Sequence, residues 1–264
     1  MLHLNKEYLE KNYIELRRPI KEIALECGVC VGTIEQTLRK FGLTNIRSRI
    51  KNPINNNRIC ESPEMYYFMG LIATDGYISL KTNRVAIRLR NNGASELLNA
   101  IKEYFEFPGE VRVYAGKDYD LTMTSRELIT FLEHHNICGE NKTFNVDIPD
   151  YYPNEDCARM FMRGVLDGDG NIHFIKKGNK ITQYEFRLVT GSLSFIDSIR
   201  GLFNTYLNID TSLKAHRVKG KEYPAIFLTN SESKKFYSWV YQDYPKFRLK
   251  DKFEKASQIV EDIV

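Results

Sequence analysis

Two apolar segments of this chain end on the same unfavourable residue. "FMGLIATDG" closes at Asp75-Gly76 and "MRGVLDGDG" at Asp169-Gly170. The C-terminal end of a helix carries partial negative charge and is normally finished by lysine, arginine or glycine, so an acid placed there costs stability. Ser62-Pro63 and Asn154-Glu155-Asp156 supply matching start signals, a capping side chain followed by proline or acids in the first turn. The two acids are 94 residues apart, and such a recurrence points to an internal repeat.

The stretches after the two segments also repeat in outline. The first segment leads into the strand-like runs "YISLKT" and "NRVAIRLRN", the helical "SELLNAIKEYF", the runs "GEVRVYAG" and "YDLTMTS", and the helical "SRELITFLEHH". The second leads into "NIHFIKK", "TQYEFRLVTG", "LSFIDSIRGLFNTYL", "TSLKAHRVK", "PAIFLTN" and "SESKKFYSWVYQ". The spacing predicts an α+β fold made by pseudo-symmetric duplication of an αββαββ unit, with repeats at 62–150 and 151–264. Gly70 and Thr74, and Gly164 and Gly168, are small residues at i,i+4 that allow two helices to approach backbone to backbone. Packed as a parallel pair, these helices would bring Asp75 and Asp169 together. Two carboxylates at two negative helix ends call for cations, and an oxygen-rich site of that kind suits Mg²⁺.

The N-terminus differs in charge. The whole chain of 264 residues is +4, but residues 1–60 hold 11 lysines and arginines against 6 acids, so the surplus of five lies there and the remainder is close to neutral. This is the pattern of a polyanion-binding appendage. In "RPIKEIALECGVCVGTIEQTLRKFGL", Ile20, Ile23, Ala24 and Cys27 share a helix face that Gly28 ends, and Val31, Ile34 and Leu38 form the stripe of a second helix. The arrangement resembles a helix-turn-helix over 1–45, with Thr33, Gln36 and Arg39 as the base-facing candidates. Residues 46–61, rich in Asn and Arg, read as a basic linker. Cys27-x-x-Cys30 without a second close pair is weak for zinc and reads as small buried residues; five scattered cysteines suit reduced thiols.

The two quoted segments resemble the motif helices of the LAGLIDADG homing endonucleases in their single-chain, two-motif form. The resemblance covers about three quarters of the chain. It implies a saddle-shaped antiparallel sheet, a protein acting as a monomer, and site-specific hydrolysis of double-stranded DNA at a long, imperfectly palindromic target. It places the catalytic metal at Asp75 and Asp169, with the adjoining Gly76 and Gly170. The expected ion is Mg²⁺, with Mn²⁺ or Ca²⁺ able to substitute for binding. The earlier motif acid is Asp167 in the second copy and Ala73 in the first, so Asp167 is given no essential role. The family also keeps a basic residue near each site, which corresponds to Lys142 and, in "FRLKDKFEKA", to Lys252, with Lys250 the nearby competitor. Asn91 is a weaker candidate for positioning water, matched by Gly191 in the second repeat.

Strand alternation supports a DNA-facing sheet independently. In "RVAIRLR", Val85, Ile87 and Leu89 point one way and Arg84, Arg88 and Arg90 the other, leaving a cationic face. Arg187, Lys214 and His216 extend the expectation to the second repeat, since β-ribbons enter the major groove and arginine reads guanine. His134-His135-Asn136 could suggest a different nuclease motif, but no partner acid or zinc framework follows. No phosphate-binding glycine loop or Gly-x-Ser-x-Gly elbow occurs, which argues against an ATPase or serine hydrolase. No apolar run is long enough for a membrane span and no signal peptide is evident, so the expectation is a soluble, cytoplasmic protein, prokaryotic or phage-encoded, or an organellar one, and not a secreted one. Two alternative functions stay open: an intron RNA-splicing maturase, and a catalytically silent DNA-binding regulator.

Overall fold

A computed structural model describes residues 2–16, 18–44, 54–90, 92–114, 116–137, 145–178, 180–243 and 246–261. The chain divides into two units, Met1–Pro53 and Ile54–Val264. In the first, α1 (Lys6–Leu9) runs on into a π-helical turn at Glu10–Glu15 and is followed by α2 (Ile20–Cys27) and α3 (Val31–Lys40). Gly28 takes φ +66, a left-handed conformation open to glycine, and the amides of Gly28 and Val29 return to the carbonyls of Leu25 and Ala24. Leu9, Tyr13, Ile23, Ala24, Ile34, Leu38 and Leu43 form the core of this unit. Cys30 does not join it. Its side chain is exposed at the start of α3 and Cys27 is only half-buried, so the reading of both cysteines as buried fails.

The second unit contains both repeats. The first runs α4 (Pro63–Asp75), β1 (Gly76–Ser79), β2 (Arg84–Leu89), α5 (Ala94–Tyr104), β3 (Arg112–Tyr114), β4 (Asp118–Thr124) and α6 (Arg126–His134). The second runs α7 (Glu155–Asp167), β5 (Asn171–Lys177), β6 (Lys180–Val189), α8 (Leu193–Leu207), β7 (Lys214–Val218), β8 (Lys221–Thr229) and α9 (Asn230–Val240). The expected α+β duplication is present, since the sheets have the same order, β1-β2-β4-β3 and β5-β6-β8-β7, antiparallel throughout. A further helix, α10 (Lys250–Glu261), was not anticipated from the sequence.

Residues 54–61, read as linker, are packed onto this unit. Ile54 is buried, the Asn55 amide donates to the Phe105 carbonyl at 2.7 Å, and Arg58 pairs with Glu106 at 3.0 Å. Residues 45–53 lie outside the described residues.

Side-chain caps begin both motif helices. Ser62 Oγ accepts from the Met65 amide at 3.2 Å and Asn154 Oδ1 from the Cys157 amide at 2.9 Å. The helices then meet through their glycines. A Cβ on Gly70 would lie 2.1 Å from the Phe161 carbonyl oxygen, and one on Gly164 would lie 2.2 Å from that of Tyr67. Residues 67 and 161, like 70 and 164, differ by the repeat offset of 94. The contact is therefore a pseudo-two-fold one. No side chain fits between the helices, because the obstacle is backbone on both sides. Gly164→Ala should lower stability by about 1–3 kcal/mol through overpacking, read as a drop in thermal midpoint, whereas alanine at Gly201, where a Cβ meets nothing, should not.

Candidate active site and nucleic-acid interface

The parallel helix pair brings the two motif acids to one end. Asp75 is the last residue of α4, and Thr74 beside it reaches the second motif, where a Cβ on Gly168 would fall on the Thr74 hydroxyl. Asp169 follows Gly168, and both Asp75 and Asp169 are exposed. The helices do not end alike, for α7 stops at Asp167, two residues before its motif acid. At that end Lys252 donates its ammonium to the carbonyls of Leu166 and Asp167 at 2.8 Å and of Gly168 at 2.5 Å. These oxygens are the unsatisfied end of the helix, and a cation there complements its negative pole. Burial pushes the Lys252 ammonium below its ordinary pKa, while Asp167, Asp75 and Asp169 oppose the shift, so one lysine lies within the electrostatic reach of both motif acids. Lys250 is exposed and pairs with Glu254.

Asp167, given no essential role from the sequence, is buried. Oδ2 accepts from the Tyr67 hydroxyl at 2.8 Å and from the Leu249 amide at 2.7 Å, and Oδ1 accepts from the Tyr241 hydroxyl at 2.7 Å. Burial pushes its carboxyl pKa up, and the hydroxyl of Tyr241, the charge of Lys252 and the Leu249 amide oppose that. One turn earlier Arg163, completely buried, donates to the carbonyls of Val240, Gln242 and Asp243 at 2.7, 2.8 and 3.0 Å. It closes the end of α9 as Lys252 closes that of α7. Two buried or half-buried cations thus neutralise helix ends around one buried carboxylate.

The donor chemistry at the motif ends fits a hard divalent cation. No group of three or more His, Cys, Asp or Glu able to hold a metal occurs among the described residues. Mg²⁺ is commonly held by one or two carboxylates, with waters and substrate phosphate oxygens filling its other positions. Gly76 and Gly170 have a steric reason to be glycine, since a Cβ on either would lie within 2.6 or 2.7 Å of the Cα one turn back, at Ile72 or Leu166. A cleft of about 350 Å³ opens beside Asp169, lined also by Thr74, Thr190, Gly191 and Tyr223.

The outer face of the first sheet is less cationic than the alternation suggested. Its register sets Arg88 opposite Asp120, and Asp120 opposite Arg112. Arg88 lies 3.5 Å from Asp120 with its guanidinium over the Tyr114 ring, Arg90 holds Asp118 through two hydrogen bonds of 2.6 and 3.1 Å, and Arg84 donates to Thr122. The acids come from β4, which the reading of β2 by itself did not include. Arg112 is an exposed cation that the sequence reading missed, because β3 is too short to show alternation. On the second sheet Arg187 pairs with Glu185, and Arg187, Lys214 and His216 all gather about the Phe227 ring, the two cations at 5.6 and 5.4 Å from its centre.

The two faces differ at equivalent positions. Tyr77 pairs with Ala86 and Asn171 with Arg187, and Tyr77 and Asn171 each stand two residues after a motif acid. Ala86 therefore corresponds to Arg187, Arg88 to Val189, and Arg90 to Gly191. Asn91 and Lys142 lie outside the described residues. On α3, Gln36 and Arg39 are exposed, whereas Thr33 is half-buried and its hydroxyl meets the Cys30 thiol at 3.2 Å. His135 is a core histidine, stacked on Phe131 and bonded to the Phe131 carbonyl and Glu61, in keeping with its dismissal as a nuclease motif.

Comparison with solved structures places this architecture. The homing endonuclease I-WcaI bound to its DNA recognition sequence is similar over 74% of this chain and 87% of its own, at 18% identity and a TM-score of 0.53. The chain has a LAGLIDADG-like fold. More distant likenesses are the LAGLIDADG meganuclease I-AabMI bound to uncleaved DNA, at 13% identity over 75% of this chain and 88% of that one with a TM-score of 0.48, and the N-terminal LAGLIDADG domain of DUF199/WhiA, at 14% over 75% and 88% with 0.47. No protein-family model matches, and the search of curated proteins found no match. No helix among the described residues is long and apolar enough to cross a membrane.

The LAGLIDADG-like fold makes one lysine a testable part of the scaffold. Lys252→Met should cost about 1–3 kcal/mol, because three carbonyls at the end of α7 lose their donor, and the loss should appear as a lower midpoint in denaturant.

Proposed function

We propose that this protein is a site-specific DNA endonuclease that hydrolyses phosphodiesters with Mg²⁺ held at Asp75 and Asp169. The observation that carries the reading is the convergence of both acids at one end of a parallel helix pair, exposed, with Lys252 in electrostatic reach of the two. A bound Mg²⁺ would activate water and neutralise charge on the scissile phosphate. Asp75 and Asp169 would hold it, and the open cleft beside Asp169 leaves room for substrate. Lys252 adds positive potential. Its three N–H groups are directed at three carbonyls, so it acts through charge and by shaping the end of α7 rather than by donating to water.

The substrate reading draws on the two outer sheet faces. Arg84, Arg88, Arg90 and Arg112 on one, and Arg187, Lys214 and His216 on the other, would meet phosphates and base edges in a major groove. The unequal equivalents, Arg88 against Val189 and Ala86 against Arg187, match a target whose halves are related but not identical. In the first unit, Gln36 and Arg39 are exposed on α3 and would be the DNA contacts of a helix-turn-helix.

The test uses DNA in which the sequences that flank the gene on its two sides are joined directly. Wild type with Mg²⁺ should cut both strands at one site, and Asp75→Asn or Asp169→Asn should lower the rate by more than about a hundredfold while retaining binding in Ca²⁺. Tight binding by wild type without any cutting would favour a silent regulator instead, and binding to intron RNA alone a maturase. Arg39→Ala should weaken target binding and flatten its salt dependence by about one counterion, measured by titrating salt.

A further inference from the structure

Only one of the two repeats carries an acid at the position of Asp167, since the first has Ala73 there. That acid gathers three donors from three parts of the fold. The Tyr67 hydroxyl comes from the motif helix of the first repeat, the Tyr241 hydroxyl from the end of α9, and the Leu249 amide from the segment that leads into α10. A carboxylate is the side chain that accepts from all three, because both of its oxygens are acceptors and neither carries a hydrogen.

The segment at 246–252 continues from that anchor in both directions across the repeats. Phe247 and Leu249 are buried, and Lys252 places its ammonium on the carbonyls just before Asp169. Its other side lies against the first repeat, where the Asp251 amide donates to the Asn92 carbonyl at 3.4 Å. Gly93, at φ +87, leaves room there, for a Cβ would come within 2.5 Å of the Lys250 Cβ and 2.9 Å of its nitrogen.

We propose that residues 247–252 form a clamp across the two repeats at the reacting end of the motif helices, and that Asp167 is the positioning residue that anchors it. This rests on the nuclease reading above. The clamp holds the end of α7, and hence Asp169, in place against α4 and Asp75. One clamp serves both sites, which accounts for the single occurrence of the anchoring acid.

The test compares full-length wild type with Asp167→Asn and Gly93→Ala by amide hydrogen exchange, by target affinity in Ca²⁺ and by cleavage rate in Mg²⁺. Asp167→Asn turns an amide NH₂ toward donors, and Gly93→Ala pushes on the opposite side of the clamp without touching Asp167. In both variants the amides of Leu249 and of the start of α10 should lose protection while those of α4 and of the body of α7 keep it. Cleavage should fall about a hundredfold with target affinity unchanged, the signature of misplaced groups. Unaltered exchange at Leu249 in Asp167→Asn, or equal losses of affinity and rate in the two variants, would overturn the clamp. If Asp167→Asn does not fold, Gly93→Ala decides by the same readings. If wild type cuts no DNA, the nuclease reading fails, and exchange at Leu249 still decides whether Asp167 anchors the segment.

Discussion

Backbone contact between the two motif helices is the constraint on which the rest depends. Helix axes normally stand 8–10 Å apart because side chains separate them. Here Gly70 and Gly164 remove those side chains, and each helix lays its backbone on the carbonyl of the other. The pairing sets the parallel direction, and that direction puts both C-termini at the same place. A sheet extends from each helix end, so the orientation of the outer faces also follows from it.

Such a convergence creates an electrostatic problem. Two negative helix ends and two acids share one region, and a buried carboxylate, Asp167, lies behind them. The fold answers with cations that are not surface ornaments. Arg163 is fully buried on the carbonyls that end α9, and Lys252 closes α7. Both are fully engaged by carbonyl oxygens, which offsets the desolvation that an unpaired charge would suffer. Asp75 and Asp169 lie on the exposed side of the region.

The two repeats share topology and differ in chemistry. Asp167 faces Ala73 in the alignment, Arg187 faces Ala86, and Val189 faces Arg88. A duplicated scaffold in one chain permits this, because each half can vary while the helix interface keeps both in place. On the outer faces the acids Asp118, Asp120 and Glu185 hold three arginines in defined positions, which lowers the net charge of the surface and orders the guanidinium groups that remain exposed.

Local features were legible in the sequence wherever they depend on neighbours along the chain. The caps at Ser62 and Asn154, the turn at Gly28, the alternation of Val85, Ile87 and Leu89, and the repeat ending on Asp75 and Asp169 are of this kind, and the repeat implied the duplicated α+β fold. The features that were missed arise between distant segments. Asp167 looked dispensable because its donors are 74 to 100 residues away. The arginine face looked uniformly cationic because Asp118 and Asp120 come from another strand, and Lys252 could not be separated from Lys250 by spacing within one lysine-rich stretch. The sequence by itself determined the elements, their duplication and the pair of motif acids, because helix ends and strand periods are short-range properties of the backbone. Only the tertiary structure decided which charges are paired, which lysine reaches the motif ends and which acid is buried, because those depend on what the fold brings within a few ångströms.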